Sequence, residues 1–233
     1  MREKKEIHRY NLPHYQQPGQ AYFITWALKG AIPAKAFEEY SHRLAQLKYQ
    51  INKELRRHPY DSTTANLQQQ YQSLRIKYIK AYNDRLDAER NPPVNLSMPA
   101  YTRLIADALM FWEGRKIHSF AFAIMSNHVH WVMETFEKDD EGQAVYLEDI
   151  MKSVKQYTAT QINQLENRTG ALWQMESFDT TIRDIQHLYN AISYTLNNPV
   201  SASLVSHWTQ WPGCWGDAAA SCFYPGDGAS SPS

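Results

Sequence analysis

Met125-Ser126-Asn127-His128-Val129-His130-Trp131-Val132-Met133-Glu134 places two histidines around one valine, directly after a turn pair and inside an apolar run. Side chains alternate along a strand, so residues two apart point to one face. His128 and His130 then share a face, with Val129, Trp131 and Met133 on the other. Two imidazoles side by side on a strand make half of a metal site. Taken alone, His-x-His is weak and is better described as two half-exposed strand histidines.

Working outward, 117–125 reads as a strand, Ser126-Asn127 as a tight turn and 128–135 as the returning strand, so the histidines lie on a hairpin. Residues 21–28, rich in aromatic and β-branched side chains between Gly19 and Gly30, read as a buried strand. From about Phe37 the period changes. Tyr40, Leu44, Leu47, Ile51 and Leu55, then Leu67, Tyr71, Leu74, Tyr78 and Tyr82, step by three and four, which predicts a helical hairpin ended by Asn91-Pro92-Pro93. Tyr101 to Trp112 and Leu147 to Leu165 carry helical stripes. Trp173 to Thr181 reads as irregular or short strand. Asp184 caps a last helix with the stripe Ile185, Leu188, Ile192 and Leu196, stopped by Pro199. This order predicts an α+β fold: a ferredoxin-like antiparallel sheet with helices on one face, and a helical hairpin inserted at about 37–92. Residues 1–206 would form that domain. Residues 207–233 would hold a tryptophan-bearing lid (Trp208, Trp211, Trp215) and, from Pro212, a mostly disordered tail.

The 233 residues carry 24 Lys+Arg and 24 Asp+Glu, so net charge names no polyanionic partner. The balance is uneven. Residues 41–90 hold 10 basic and 5 acidic side chains, a local excess that neutrality of the whole conceals. No apolar run approaches a membrane span, and the charged N-terminus is unlike a signal peptide. Cys214 and Cys222 make no disulfide framework, so the expectation is a cytoplasmic protein. Without Cys-x-x-Cys or His-Glu-x-x-His, a structural zinc site is not indicated.

The last helix offers the other half of the site. At 100° per residue, Tyr194 falls opposite the apolar stripe and Asn198, four residues on, lies beside it. A hydroxyl and an amide oxygen would project together from the face the core does not need. Tyr157, after Lys152 and Lys155 on the preceding helix, is a rival nucleophile. It flanks its own stripe and lacks a ligand partner one turn on.

Asn127-His128-Val129-His130, Leu172-Trp173-Gln174, Ile182-Arg183-Asp184 and Tyr194-Thr195-Leu196-Asn197-Asn198-Pro199-Val200, with Leu204-Val205 following, resemble the HUH single-tyrosine transposases, most closely the REP-associated branch. Order and spacing match over roughly residues 115–206, and 22–28 fits the first strand; the hairpin 37–92 lies outside. The resemblance implies a nuclease that cuts and rejoins single-stranded DNA near a hairpin. Tyr194 would be the nucleophile, and His128, His130 and Asn198 would hold Mg²⁺ or Mn²⁺. It also admits a homodimer, and a transposase-derived DNA- or RNA-binding regulator that no longer cuts. A metal-dependent hydrolase of another class is a further reading of the two histidines.

Single-stranded DNA binders combine cations with aromatic platforms. Arg56, Arg57, Arg75 and Lys77 among the hairpin tyrosines fit that pattern, as does a plain solvated helix surface. Lys152, Lys155 and Arg183 lie nearer the site in sequence, and Arg2, Lys4, Lys5 and Arg9 are further cations for a hairpin foot.

Overall fold

The computed structural model describes residues 5–7, 14–33, 37–57, 61–88 and 92–218. In chain order the elements are β1 (Lys5–Ile7), β2 (His14–Gln16), β3 (Ala21–Leu28), α1 (Glu38–Arg57), α2 (Ser62–Ala88), α3 (Pro99–Met110), β4 (Ile117–Ile124), β5 (His128–Thr135), α4 (Leu147–Leu165), β6 (Trp173–Thr181), α5 (Ile185–Ser201), a 3-10 turn (Trp208–Gln210) and β7 (Cys214–Gly216). The chain divides into two compact units. Among the described residues, one gathers 15–29 with 92–218, and the other gathers 30–33 with 37–57 and 61–88.

In the larger unit β3, α3, β4, β5, α4 and β6 follow one another as βαββαβ. The sheet order is β6-β3-β5-β4-β7 and every neighbouring pair is antiparallel. The first four strands of that order reproduce the ferredoxin-like arrangement. β5 is the central strand, and nearly all of it is buried. Its alternation therefore sorts side chains into two interior faces rather than into inside and outside.

One face is built on tryptophan. Trp131 of β5 lies across from Ile24 and Phe122, and Trp26 packs edge-on against both Trp131 and Trp173, at 6.4 and 6.1 Å between centroids. The crossover helices sit on this side. The Trp173 indole N–H donates to Thr158 Oγ1 of α4 (2.9 Å), and that of Trp112, just after α3, to Ser153 Oγ of α4 (3.3 Å). The opposite face carries His128, His130 and Val132, with Phe23, Thr25 and Ala121 beside them. Here α5 packs: Ala191, Ile192 and Leu196 join Ala121, Val132 and Ile182 in one buried cluster. The α+β expectation and its antiparallel sheet hold. The one-face placement describes α3 and α4, and α5 covers the other face because both sides of β5 are apolar enough to need a cover.

Three local expectations are corrected. Trp173–Thr181 is a full strand paired with β3 from Tyr22↔Thr181 to Leu28↔Trp173, with an irregularity at Trp26/Leu28 that breaks the alternation a sequence pattern relies on. Pro199 does not stop α5, which runs to Ser201. A proline in the last turn removes one N–H donor, and Ala202 N still donates to Asn198 O (3.0 Å). The chain past Pro212 does not lose structure at once. Ile124 N donates to Gly213 O (2.8 Å), β7 pairs with β4, and Trp215 stacks on Phe122 at 5.6 Å. Gly213 fits this approach because a Cβ there would collide with the Ile124 carbonyl oxygen. The tryptophans thus pack on the sheet edge: Trp211 Nε1 donates to Ile124 O (2.9 Å) and Trp208 rests against the α5 cluster. Residues 219–233 lie outside the described residues.

The smaller unit is the expected helical hairpin. Leu44 and Leu47 of α1 and Tyr78, Tyr82 and Leu86 of α2 are buried. Phe37 meets Tyr78 and Tyr82 at 5.3 and 5.7 Å, and Tyr40 stacks on Tyr78 at 5.5 Å. These rings form a core, whereas Tyr49 is exposed. Tyr60 lies outside the described residues.

A charged clasp holds the C-terminal edge. His118 of β4 lies between two carboxylates, its Nδ1 2.9 Å from Glu113 Oε1 and its Nε2 3.2 Å from Asp217 Oδ2, immediately after β7. Burial pushes the imidazole down, but hydrogen bonds and charge from Glu113 and Asp217 together outweigh it and raise its pKa. A raised folded-state value stabilises below the unfolded value of about 6.5, and that contribution is lost as pH rises through the folded value. His118→Gln should therefore cost stability at pH 5.5 and little at pH 9. With its side chain 40 % exposed, screening holds the difference to about 0.5 kcal/mol. Urea melts of both proteins at the two pH values measure it.

Candidate metal and nucleophile site

The hairpin tip that carries the histidines is pinned on three sides. Met125 N donates to His128 O (2.9 Å) across the turn, Leu28 N to Asn127 O (2.8 Å) and Leu96 N to Ser126 O (2.9 Å). His128 and His130 are both buried, at 1 % and 0 % exposure. Buried polar rings need partners, and each has them. His128 Nδ1 lies 2.7 Å from Asn127 Oδ1, and His130 Nδ1 lies 2.8 Å from Thr25 Oγ1, directly opposite on β3. The two Nε2 atoms face each other at 3.0 Å. Burial lowers the His128 pKa to about 3; burial, then the charge of His128, holds His130 well below its ordinary value. Both rings are therefore neutral near pH 7, the state in which an imidazole can be a ligand.

Above them lies α5. Its N-terminus is capped as expected, with His187 N donating to Asp184 Oδ1 (2.7 Å). The Tyr194 ring stands edge-on to His130 at 5.3 Å and to Phe23 at 5.7 Å, and Phe23 in turn stacks on His130 at 5.7 Å. All these groups belong to one chain, and Tyr194 remains 38 % exposed. Asn198, one turn on, differs from the wheel reading: it is buried, with Ala191, Thr195 and Pro199, because the buried arc of α5 is wider than its apolar stripe. Its Oδ1 is buried without a hydrogen-bond partner among the described residues. An orphaned amide oxygen costs about 1–3 kcal/mol unless something satisfies it. Two neutral imidazole nitrogens are of the kind that a divalent cation takes, and an unsatisfied amide oxygen is of a type that such an ion also accepts.

The other sequence candidates are placed as follows. Tyr157 is exposed on α4, the helix of the tryptophan face, across the sheet from the histidines. Lys152 and Arg183 are exposed. Lys155 is turned inward, donating to Gln174 O (2.9 Å) and Met175 O (3.5 Å), and burial lowers its pKa to about 8. Arg56 and Arg57 close the last turn of α1; Lys77 is exposed and Arg75 half-buried on α2. Arg2, Lys4 and Arg9 lie outside the described residues. Sequence reasoning passed over Phe23, Thr25 and Asn127. Thr25 left a signal as a polar residue in an aromatic strand, and Asn127 as the neighbour of His128, where it read as a turn former and as the start of the Asn127–His130 stretch but not as a partner of the imidazole.

Sheet and site together define a class: an α+β protein with a buried histidine pair on its central strand and a helix-borne tyrosine against it. No family model matches the chain. It is similar to a putative REP-associated tyrosine transposase of Haemophilus influenzae, 28 % identical over 107 residues, which span 43 % of this chain and 59 % of that protein. Among solved structures, a REP-associated tyrosine transposase bound to a REP hairpin superposes with a TM-score of 0.48 at 13 % identity, covering 90 % of this chain and 81 % of that one. No described helix is long and apolar enough to cross a membrane.

The orphaned oxygen gives a direct expectation. In chelator, Asn198→Leu should raise stability to urea by about 1 kcal/mol, since it removes a buried unsatisfied acceptor. The same variant should lose most of the melting-temperature rise that Mn²⁺ gives the unaltered protein. A variant destabilised in chelator would mean that Oδ1 is already satisfied.

Proposed function

We propose that this chain nicks and rejoins hairpin-bearing single-stranded DNA, using Tyr194 as nucleophile and a divalent cation held by His128, His130 and Asn198. The observation that carries the reading is the Tyr194 ring 5.3 Å from His130 in the same chain, over two neutral imidazoles. Similarity to the tyrosine transposases, which the resemblance describes as cutting and rejoining DNA, supports it.

The phenolic oxygen attacks phosphorus in line with the departing DNA 3′ oxygen. The Tyr–O–P bond forms, the P–O3′ bond breaks, and the phenol proton ends on the released 3′-OH. Bound in the site, the ion supplies polarisation of a phosphoryl oxygen. The protein's own contribution is positional. Phe23 packs against both the His130 and Tyr194 rings, and α5 is fixed by its packed stripe, which limits the freedom of the tyrosine ring. A tyrosine ester, whose phenol has a pKa of about 10, is a better leaving group than an alkoxide, so a DNA 3′-OH can reverse the step. This suits strand transfer over hydrolysis. The half-exposed tyrosine leaves room for a strand, and the exposed Arg183, just before α5, offers it a phosphate contact, whereas Lys152 lies on α4, across the sheet from the tyrosine. Arg56, Arg57 and Lys77 offer further ones on the hairpin unit.

Incubation with labelled hairpin-bearing single strands and Mg²⁺ or Mn²⁺ should trap a covalent protein–DNA adduct. Tyr194→Phe should abolish it with binding retained, His128→Ala should lower it at least about 100-fold, and Tyr157→Phe should leave it unchanged. Binding with no adduct under either ion would instead indicate a silent DNA-binding protein. Turnover of a small phosphodiester by Tyr194→Phe would indicate a hydrolase of another class.

The hairpin contacts are checked separately. Replacing Arg56, Arg57 and Lys77 by Ser should reduce the slope of log affinity against log salt by about 0.7 per lost phosphate contact. An unchanged slope would remove this surface from the DNA path.

A further inference from the structure

The smaller unit holds a groove of its own. Between α1 and α2 lies a space of about 400 Å³, floored by Leu47 and Leu74. Arg43 and Lys77 border it together with Asn66, Gln69, Gln70 and Ser73, and no acidic side chain lines it. Both cations are exposed, and neither is ion-paired among the described residues. From Asn66 to Lys77 the groove follows α2 for about 16 Å. The α2 wall has a composition that solvation alone does not call for. Ser62 to Leu74 contains no charged residue, although Asn66, Gln68, Gln69, Gln70, Gln72 and Ser73 are all exposed. Lys and Glu form helices as well as Gln does, so helix formation does not select the amides. What an amide adds is a donor and an acceptor on one group. Gln70 Nε2 donates to Asn66 Oδ1 (3.1 Å), which leaves Gln70 Oε1 as an acceptor and Asn66 Nδ2 as a donor, one turn apart.

We infer that this groove reads adenine in an unpaired segment of the DNA, an inference that rests on the DNA-binding reading above and gives it a sequence preference. Asn and Gln amides match adenine, accepting from N6 and donating to N7. The free acceptor and donor of the Gln70–Asn66 pair supply that pattern, and Gln69 extends it. Arg43 and Lys77 meet the adjoining phosphates, which carry no sequence information and set affinity. A base outside a duplex can turn its edge into such a groove, and the leucine floor gives its face an apolar seat. A packed helix, from a second copy or another protein, suits the groove less. It would bury two cations and a row of amides and bring them no partners, whereas a nucleotide strand brings a phosphate and a base edge with every unit.

Fluorescence anisotropy of the full chain tests this in chelator, so that binding is read without cutting. The probes are labelled DNA hairpins with an unpaired flank of dA or of dT. The dA flank should bind at least about fivefold more tightly. The double variant Asn66→Ala, Gln70→Ala should bring that ratio to about one, and circular dichroism checks its helix content, which alanine favours. Arg43→Ser should keep the ratio and lower the slope of log affinity against log salt by about 0.7 for both flanks. A flank of 7-deazaadenine, which lacks N7 alone, should fall toward the dT affinity with the unaltered protein, and it decides the matter if the double variant does not fold. Equal affinity for dA and dT flanks overturns the inference, as does a ratio kept by the folded double variant or by 7-deazaadenine. A changed sedimentation coefficient in the double variant with unchanged DNA affinities gives the groove to a second copy and also overturns it. Discrimination without a Tyr194 adduct leaves the inference standing and removes the nuclease reading; an adduct without discrimination does the reverse, and no binding of either DNA removes both.

Discussion

Two imidazoles buried at the centre of a five-stranded sheet are the constraint on which the rest of this structure depends. Apolar surroundings keep both neutral, and a neutral buried imidazole must find hydrogen-bond partners or destabilise the fold. Thr25, Asn127 and the pair itself supply them, which requires β3 in register with β5 and the 125–128 turn held in shape. The backbone bonds from Leu28 and Leu96 to that turn follow from the same need. The polar pair is thus tied to the sheet register: a one-residue slip of β3 would move Thr25 to the other face and take away the partner of His130 Nδ1.

The contrast with His118 shows how far placement decides the behaviour of one residue type. His118 stands near the sheet edge between Glu113 and Asp217 and is raised; His128 and His130 stand at its centre and are lowered. The first is suited to be a cation that clasps the chain after β7. The others are suited to receive one.

Much of this was legible in the sequence where periodicity and chemistry agree. The alternation through His128, Val129, His130 and Trp131 gave the central strand and its two faces, and Asp184 before a 3.6-residue stripe gave the start of α5. The α1–α2 seam was legible for the same reason. β6 was not, because Gln174, Ser177, Asp179, Thr180 and Thr181 make it polar for a strand, and the irregularity opposite Trp26 breaks its alternation. β7 was hidden because three residues among Gly, Pro and Cys carry no period at all. The burial of Asn198 escaped a helical wheel, which recognises apolar stripes and has no means of marking a buried amide. Thr25 and Asn127 act across strands and around a turn, and such contacts exist only once the register does.

The position of Tyr194 follows from the same helix that closes the core. Ile192 and Leu196 stand two residues to either side of it and pack against Ala121 and Val132, while the Tyr194 ring meets His130 and Phe23. Moving the tyrosine away from the histidines means rotating or lifting α5, and either motion exposes those apolar side chains, at about 1.5–3 kcal/mol for each one fully uncovered. A loop-borne tyrosine would carry no such penalty and would sample many orientations. Placing this tyrosine on a helix locked by its own core residues makes its position against His130 a consequence of fold stability, so substitutions at Ile192 or Leu196 act on the tyrosine through the packing that aims it.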